Sequence, residues 1–181
     1  MRLEGKVALI SGGARGMGAE EARIFAREGA NVIIGDISEE DGKAVEAQIS
    51  EAGGQALFVR LDVTEESEWA NAVEQAVSHY GKLDVLVNNA GISSRAFTDD
   101  TGIDAWDRIM EVNSKGVFLG TRAAVPKMLE AGGGSVINIS SIMGLVGSAG
   151  GHPAYNASKG AVRIFSKAMA VRHGKDNIRV N

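Results

Sequence analysis

Short apolar segments alternate with longer segments of mixed character along this chain, and the junctions between them are rich in Gly, Asp, Ser and Asn. Branched aliphatic residues dominate the short segments, which predicts buried strands, whereas the longer segments have helical spacing. We predict five strands, at residues 6–10, 31–35, 56–61, 84–88 and 135–139. The predicted helices span residues 16–28, 39–52, 65–80, 104–131 and 154–173.

Several residues mark where these helices begin and end. Glycine stops a helix readily, and three helices are each followed by one, namely Gly29, Gly53 and Gly81. We predict that Ser38 and Thr64 cap the N-termini of the second and third helices. The longest helix contains Pro126, so we expect it to bend or break there.

The alternation of strands and helices predicts an α/β fold with a doubly wound parallel sheet, because such connections are right-handed crossovers that cover both faces. Ligands of such sheets bind at the carboxyl ends of the strands. Residues 177–181 have the character of the opening of a sixth strand. We therefore expect a single domain over residues 1–181 that is truncated within this sixth strand.

Composition excludes several classes of function. The chain has 181 residues, 44% hydrophobic and 23% charged, a net charge of −4 and scattered basic residues, which favours neither nucleic acid nor membrane as a partner. It has no cysteine, and its three histidines lack metal-ligand spacing, so we predict no metal. Without a signal peptide or a long apolar run, we expect a cytoplasmic protein.

The first predicted strand leads directly into a glycine-rich turn, Gly12-x-x-x-Gly16-x-Gly18, followed by a helix. Glycines let a backbone approach a pyrophosphate closely, and the positive end of the helix dipole favours its charge. We predict that this turn binds a dinucleotide through Gly12, Arg15, Gly16, Met17 and Gly18. The alternative is a glycine-rich turn that binds no ligand.

Asp36 directly follows the second strand and indicates which dinucleotide is bound. A carboxylate there can accept hydrogen bonds from the adenosine ribose and would repel a 2′-phosphate, which favours NAD over NADP. We predict a further cofactor contact at Ile37. Arg15 is the opposing signal, since a guanidinium could bind that phosphate, but the charge of Asp36 would lie at the 2′ position itself. Asp36 could instead cap the next helix, a role for which Ser38 is already placed.

The third and fourth strands end at the same edge of the sheet. Asp62, followed by Val63, could accept a hydrogen bond from the adenine amino group. Asn89, Ala90 and Gly91 follow the fourth strand, where small residues would let the backbone pass close to the ribose. Both sequences are also ordinary turn formers, so the two interpretations stay open for each.

Tyr155 and Lys159 lie four residues apart and therefore on one face of a helix. A positive charge about 4 Å from a phenol is worth roughly 4 kcal/mol at a partly screened site, which makes the tyrosine a usable general acid or base.

Ser140 and Ser141 end the fifth strand, and either could hold a reacting oxygen. His152 lies in the segment that should form a pocket wall, as a substrate contact or simply a loop histidine.

Together these residues resemble the short-chain dehydrogenase/reductase family over essentially the whole chain. The resemblance is carried by Gly12-x-x-x-Gly16-x-Gly18, Asn88-Asn89-Ala90-Gly91, Asn113, Ser141 and Tyr155-x-x-x-Lys159. It implies a Rossmann-like three-layer sandwich that moves a hydride between nicotinamide and a carbonyl or alcohol carbon.

The resemblance also implies a role for four residues. In that family the tyrosine exchanges the proton and the serine holds the substrate oxygen, roles that fall on Tyr155 and Ser141. The lysine, here Lys159, contacts the nicotinamide ribose, and the asparagine, here Asn113, holds a water leading to the lysine.

We therefore expect an oxidoreductase that uses NAD and acts on a secondary alcohol or ketone, including cyclic and steroid-like ones. Two alternatives stay open, a 3-ketoacyl-carrier-protein reductase using NADPH and a nucleotide-binding fragment without turnover. Asp36 argues against the first. Relatives associate through helices that correspond to residues 104–131 and 154–173, which implies a homodimer or homotetramer.

Overall fold

The computed structural model describes residues 1–93, 102–147 and 153–181, which form a sheet of parallel strands flanked by helices. The strands are β1 (Val7–Ser11), β2 (Asn31–Asp36), β3 (Gln55–Arg60), β4 (Val85–Asn88), β5 (Gly134–Asn138) and β6 (Ile178–Val180). Their order in the sheet is β3-β2-β1-β4-β5-β6. The five strands predicted from the sequence, and the sixth inferred near its end, are confirmed.

The longer helices are α1 (Gly16–Arg27), α2 (Glu39–Glu51), α3 (Glu66–Tyr80), α4 (Ile103–Met110), α5 (Gly116–Glu130) and α6 (Pro153–His173). A π-helical turn, Glu111–Lys115, joins α4 to α5, and short 3-10 turns follow β5 and α6 at Ile142–Gly144 and Gly174–Asp176. Every residue of β1 and β4 is buried, as expected for strands covered on both faces. The doubly wound α/β fold is confirmed.

The core forms one layer on each face of the sheet. On one face, small residues of α1 such as Ala22 pack with Ile34 of β2. On the other, Trp69 of α3 and Met128 of α5 pack with Leu86 of β4. Complete burial of side chains of this size contributes about 1.5–3 kcal/mol each, so these layers fix the sheet on which the site is built.

Helix α5 packs closely against the sheet at Gly120, which has no side chain. A Cβ on Gly120 would lie 2.6 Å from the Trp69 ring and 2.5 Å from Asn88 Oδ1, too close for any heavier residue. Trp69 is held in place because its indole Nε1 donates to the Val63 carbonyl oxygen at 3.0 Å. Gly120 thereby sets the spacing between α3, α5 and β4.

The sheet reverses its winding direction at β1. From there β2 and β3 lie on one side, and β4, β5 and β6 on the other. Ser11, the last residue of β1, is paired with Gly35 of β2 and Asn88 of β4. The carboxyl ends of β1 and β4 therefore border the crevice where open α/β sheets bind ligands.

The helix ends agree with the sequence in most places. Backbone φ angles of +93°, +83° and +81°, which favour glycine, occur at Gly29, Gly53 and Gly81. Ser38 occupies the N-cap position of α2, although its hydroxyl donates to Asp41 and caps no backbone N–H. The prediction for Thr64 was wrong: Glu65 is the N-cap of α3, because the Thr64 hydroxyl donates to Asp62 at 2.8 Å.

The expected bend or break at Pro126 was wrong as well. Helix α5 runs through Pro126 to Glu130, and the irregularity lies earlier, in the π-helical turn at Glu111–Lys115. Pro126 and Arg122, four residues before it, are both exposed. The carbonyl that loses its N–H partner to the proline ring is thus on the solvent side, where water can replace that partner.

Within residues 1–93, 102–147 and 153–181, no helix combines the length and apolar character of a membrane span. The same residues contain no group of three or more His, Cys, Asp or Glu side chains arranged to hold a metal ion.

Candidate active site

The glycine turn after β1 packs directly against the end of β4. Gly12 has a φ of +67°, and a Cβ there would lie 2.9 Å from Ala90 Cα. A Cβ on Gly18 would overlap the carbonyl oxygen of Gly12. At Gly16, in contrast, no atom lies within 4 Å of a Cβ position, and its φ of +52° alone favours glycine. Two glycines close the turn, and the third leaves open space at the N-terminus of α1.

Hydrogen bonds also join this turn to the end of β4. The Asn89 side chain donates from Nδ2 to the carbonyl oxygens of Ser11 at 3.0 Å and Gly12 at 3.1 Å. The Ser11 hydroxyl in turn accepts from the backbone N–H groups of Asn89 and Ala90, both at 3.2 Å. The Asn89 side chain, predicted as a cofactor contact, therefore binds the backbone of the glycine turn.

The Asp36 carboxylate is fixed beside the glycine turn by two backbone donors. Oδ2 accepts from the Ala14 N–H at 3.0 Å, and Oδ1 accepts from the Ser38 N–H at 2.9 Å. Two predicted cofactor contacts, Ile37 and Met17, are 64% and 56% exposed. This edge thus combines an oriented carboxylate with accessible apolar side chains, and these groups suit a ribose and a flat base.

Asp62 and Val63 follow β3 at the same edge of the sheet. Burial alone would raise the pKa of Asp62, but hydrogen bonds from the Thr64 N–H and hydroxyl to Oδ1, at 3.0 and 2.8 Å, help to lower it. Val63 is buried and its carbonyl oxygen is bound to Trp69. Asp62 is therefore a fixed anion at the crevice, whereas the Val63 side chain belongs to the core.

Lys159 lies one turn after Tyr155 on α6, as predicted, with Nζ 5.8 Å from the centroid of the tyrosine ring. Only 5% of Lys159 is exposed, and its ammonium donates to the Ile139 carbonyl oxygen at 2.7 Å. Burial lowers the pKa of Lys159. A Cβ on Gly91 would lie 3.5 Å from Nζ, so the end of β4 passes close to this ammonium.

Asn113 is fully buried in the π-helical turn and joins two parts of the site. Its Oδ1 accepts from the Ile92 N–H at 2.8 Å, and its Nδ2 donates to the Ile92 carbonyl oxygen at 2.9 Å. Nδ2 also donates to Ser158 Oγ at 3.1 Å. The segment after β4 is therefore held against α6 beside Lys159.

The two serines after β5 have different partners. The Ser140 hydroxyl donates to the Lys159 carbonyl oxygen at 2.8 Å, which uses its proton to hold α6. The Ser141 hydroxyl accepts from the Met143 N–H at 3.1 Å. Within the described part of the chain this hydroxyl donates to no acceptor, so its proton remains available for a hydrogen bond.

The glycine turn, the end of β4 and the Tyr155–Lys159 pair thus lie along one edge of the sheet. A family model described as short chain dehydrogenase matches residues 6–181. The chain belongs to the short-chain dehydrogenase family.

Relatives in this family with known activities align with nearly the whole chain. The 3-alpha-(or 20-beta)-hydroxysteroid dehydrogenase of Mycobacterium tuberculosis is 53% identical over 180 residues, which are 99% of this chain and 68% of that protein. The cyclopentanol dehydrogenase of Comamonas testosteroni is 49% identical, over 99% of this chain and 72% of its own length. The 2,5-dichloro-2,5-cyclohexadiene-1,4-diol dehydrogenase LinX of Sphingobium indicum has the same identity and coverage.

A solved structure shows the same fold. The crystal structure of a short-chain type dehydrogenase/reductase from Mycobacterium marinum matches this chain with a TM-score of 0.93 and 35% sequence identity. The match covers 99% of this chain and 73% of that one. The Rossmann-like sandwich expected from the resemblance is confirmed.

In this family member the Arg15 side chain is bound to α2. Its Nε donates to Asp41 Oδ2 at 2.5 Å, and a second guanidinium nitrogen contacts the same oxygen. The Ser38 hydroxyl accepts from Arg15 at 3.4 Å and donates to Asp41. These bonds, the one from Ser38 first and then the one from Arg15, lower the pKa of Asp41. Asp41 is therefore a carboxylate at neutral pH.

Sequence reasoning missed two residues at this edge. Ser11, the residue after the predicted first strand, was not singled out; a serine at the end of an apolar strand is a signal for a buried hydrogen bond, and Ser11 is 1% exposed in the structure. Asp41 gave no comparable signal, because an acidic residue in the first turn of a helix is common. His152, and half of the segment 144–153 predicted to form a pocket wall, lie outside the described residues.

Proposed function

We propose that this protein transfers a hydride between NAD(H) and a secondary alcohol or ketone, with Tyr155 as the general acid and base. The observation that carries the proposal is the Tyr155–Lys159 pair on the edge where the glycine turn meets the end of β4. The names of the relatives, a hydroxysteroid dehydrogenase, a cyclopentanol dehydrogenase and a cyclic diol dehydrogenase, favour a hydroxyl or carbonyl on a ring as the substrate group.

The chain carries groups that fit a dinucleotide. The open space beside Gly16 and the positive end of α1 suit the pyrophosphate, and the Lys159 ammonium close to Gly91 suits hydrogen bonds to a ribose that lies beside both. Asp62 would meet the adenine, while Asn89 would act by fixing the Gly12 backbone. A bound nicotinamide supplies or accepts the hydride.

Three side chains would handle the proton and the charge on the substrate oxygen. In the direction of reduction, the Tyr155 hydroxyl gives its proton to the oxygen of the former carbonyl, while the Ser141 hydroxyl donates a hydrogen bond to it. The Lys159 ammonium stabilises the phenolate that remains, and oxidation reverses these steps. Asn113 positions Lys159 indirectly, since it binds Ile92 and Ser158. The water expected between Asn113 and Lys159 stays a prediction.

Asp36 supports NAD over NADP as the cofactor. Its two oxygens are oriented by the N–H groups of Ala14 and Ser38, and each oxygen retains a further lone pair for a ribose hydroxyl. A 2′-phosphate at this position would bring two like charges together, which is unfavourable.

The test is oxidation of NADH and of NADPH with cyclic and steroid ketones as substrates, compared between the wild type and Tyr155→Phe. We expect turnover with NADH that falls by about 10²–10⁴ in the variant, the usual contribution of a general acid. Tyr80→Phe, which changes the other tyrosine of the chain, is the matched control and should keep its activity. Turnover with NADPH alone, or an active Tyr155→Phe, would contradict the proposal.

We also propose that the protein forms a homodimer or homotetramer through α5 and α6. Large apolar side chains are exposed on these helices, with Phe118 48%, Ile164 65% and Val171 87% accessible. Phe118 of α5 and Phe165 of α6 are in edge-to-face contact, with centroids 6.3 Å apart, so the two helices share an aromatic contact. Exposed apolar side chains on neighbouring helices favour association.

A further inference from the structure

We propose that Asp41 is a specificity-determining positioning residue: it holds Arg15 against the first turn of α2 and so keeps that guanidinium from binding the 2′-phosphate of NADP(H). The inference rests on the proposed function, because it takes the glycine turn as the site of a nicotinamide dinucleotide. Asp36 disfavours NADP(H) by repelling the 2′-phosphate. Asp41 would disfavour it in a second way, by withholding the guanidinium that would otherwise attract this phosphate.

Arg15 occupies a position from which a guanidinium could bind such a phosphate. It is the N-cap residue of α1 and directly follows Ala14, whose N–H binds the Asp36 carboxylate. A guanidinium presents several donors in a planar fork that matches a phosphate. The Arg15 side chain is 75% exposed, so the fold places no packed wall around it.

Two bonds to one carboxylate decide where that guanidinium lies. Arg15 reaches 26 residues along the chain to Asp41, and Ser38 binds both partners. The N–H of Ser38 also binds Asp36, so one network runs from the Asp36 carboxylate through Ser38 and Asp41 to Arg15. Since Asp41 is ionised at neutral pH, it carries the charge that attracts Arg15 under the conditions in which a cofactor binds.

The alternative interpretation is that Arg15 and Asp41 form an exposed ion pair that has no effect on the choice of cofactor. Exposed pairs indeed contribute little to stability. A weak pair can still bias which of two positions a mobile side chain occupies, because Arg15 must leave Asp41 before it can bind a 2′-phosphate. Because an exposed ion pair is weak, the loss of the Arg15–Asp41 pair can change the affinity for NADP(H) only by a small factor, which sets the size of the expected effect.

The test measures dissociation constants of NADH, NADPH, 5′-ADP and 2′,5′-ADP for the wild type and Asp41→Asn by calorimetry. In the variant we expect the two ligands with a 2′-phosphate to bind about fivefold more tightly, the factor that corresponds to the upper range of exposed ion-pair energies. NADH and 5′-ADP should change by less than about twofold, because neither carries the 2′-phosphate that a released Arg15 guanidinium would bind.

Glu39→Gln is the matched control for charge. Glu39 lies in the same first turn of α2, but its carboxylate pairs with Lys43 at 2.6 Å instead of Arg15. This control should leave the ratio of NADPH to NADH affinity close to that of the wild type. In the double variant Arg15→Gln with Asp41→Asn, the gain in NADPH affinity should vanish.

The possible results separate the two proposals. If NADH binds normally and Asp41→Asn leaves the affinity for NADPH unchanged, or if Glu39→Gln gives the same gain, the role of Asp41 is overturned and the proposed function stands. If the wild type binds neither dinucleotide, or prefers NADPH, the proposed use of NAD fails and this inference fails with it.

Discussion

The Lys159 ammonium connects three parts of the chain within one small volume. It donates to the carbonyl oxygen of Ile139 after β5, it lies beside the position of Gly91 after β4, and it approaches the Tyr155 ring on its own helix. The Lys159 backbone carbonyl also accepts the hydroxyl proton of Ser140. A single buried cation therefore contributes both charge and geometry to the site.

Burial of Lys159 predicts a particular dependence of stability on pH. Because its pKa is lowered from the ordinary value of 10.5, the unfolded chain binds more protons between the lowered value and 10.5. The group's contribution to the free energy of unfolding therefore rises with pH in that window, and below it the cost of burying the charge is fully present. In Lys159→Met this contribution to the rise of the free energy of unfolding with pH should be absent.

The measurement is urea unfolding of the wild type and Lys159→Met from about pH 7 to about pH 10. The stability of Lys159→Met relative to the wild type should decrease steadily over this range. Lys167→Met, which removes an exposed lysine from the same helix, is the control. A difference between Lys159→Met and the wild type that does not vary with pH would contradict the prediction.

At the scale of elements, the site depends on how closely neighbouring strands and helices approach. Strands β1 and β4 are joined at their carboxyl ends by Ser11 and Asn89, and at their amino ends by Asp84. Helix α5 approaches β4 only because Gly120 lacks a side chain. Substitutions at Asp84 and Gly120 should therefore lower the free energy of unfolding.

Asp84 predicts a loss of stability in acid. Burial alone would raise its pKa, but hydrogen bonds from the Val7 N–H at 2.9 Å, Lys82 and Lys6 lower it. Its stabilising contribution is present above the unfolded pKa of about 3.9 and is lost as pH falls through the lower folded value. Asp84→Asn should cost about 1–2 kcal/mol at neutral pH, since it weakens charge-assisted bonds.

Urea unfolding at neutral pH and in acid checks this prediction for Asp84. The difference between the wild type and Asp84→Asn should shrink as the pH falls below about 4. A difference of equal size at both pH values would show that the charge of Asp84 is not what holds β1 against β4.

Gly120→Ala should cost about 1–3 kcal/mol in the free energy of unfolding, because the new methyl group meets the Trp69 ring and Asn88 Oδ1. Gly160→Ala is the same substitution within α6, where the nearest atom to the added Cβ is the Gly144 carbonyl oxygen at 3.7 Å. That control should be neutral or stabilising by up to about 1 kcal/mol. Denaturant midpoints compare the two, and equal costs would contradict this account.

The whole molecule combines a sheet whose strand order reverses at β1 with exposed apolar side chains on α5 and α6. The reversal brings turns that are distant in sequence to one crevice. The apolar surface lies on α6, which carries the Tyr155–Lys159 pair, and on α5, which directly follows the π-helical turn that carries Asn113. Association through this surface would therefore brace the elements of the site. Oligomerisation and activity should therefore be linked.

Light scattering tests this surface. We expect the wild type to behave as a dimer or tetramer and Ile164→Glu to shift toward the monomer, because a charge would replace an apolar side chain that is 65% exposed. Asn71→Glu adds the same charge on the exposed side of α3 and should leave the assembly unchanged. A monomeric wild type, or an unaltered Ile164→Glu, would contradict the proposal.

Local sequence accounted for the elements and for the residues within one element that meet. Alternation of apolar runs and helical segments predicted each strand to within one residue at either end. A spacing of four predicted that Tyr155 and Lys159 share a helix face. These features depend on neighbours a few residues away, so the chain carries them without reference to its fold.

Contacts between segments that are distant in sequence were decided only by the tertiary structure. The bond of Asn89 to the Gly12 backbone spans 77 residues, and the pairing of Arg15 with Asp41 spans 26. The π-helical turn that carries Asn113, in place of a break at Pro126, likewise depends on partners after β4 and on α6. Periodicity and turn chemistry do not encode such partners, because their energies arise only when distant segments are brought together by the packed sheet.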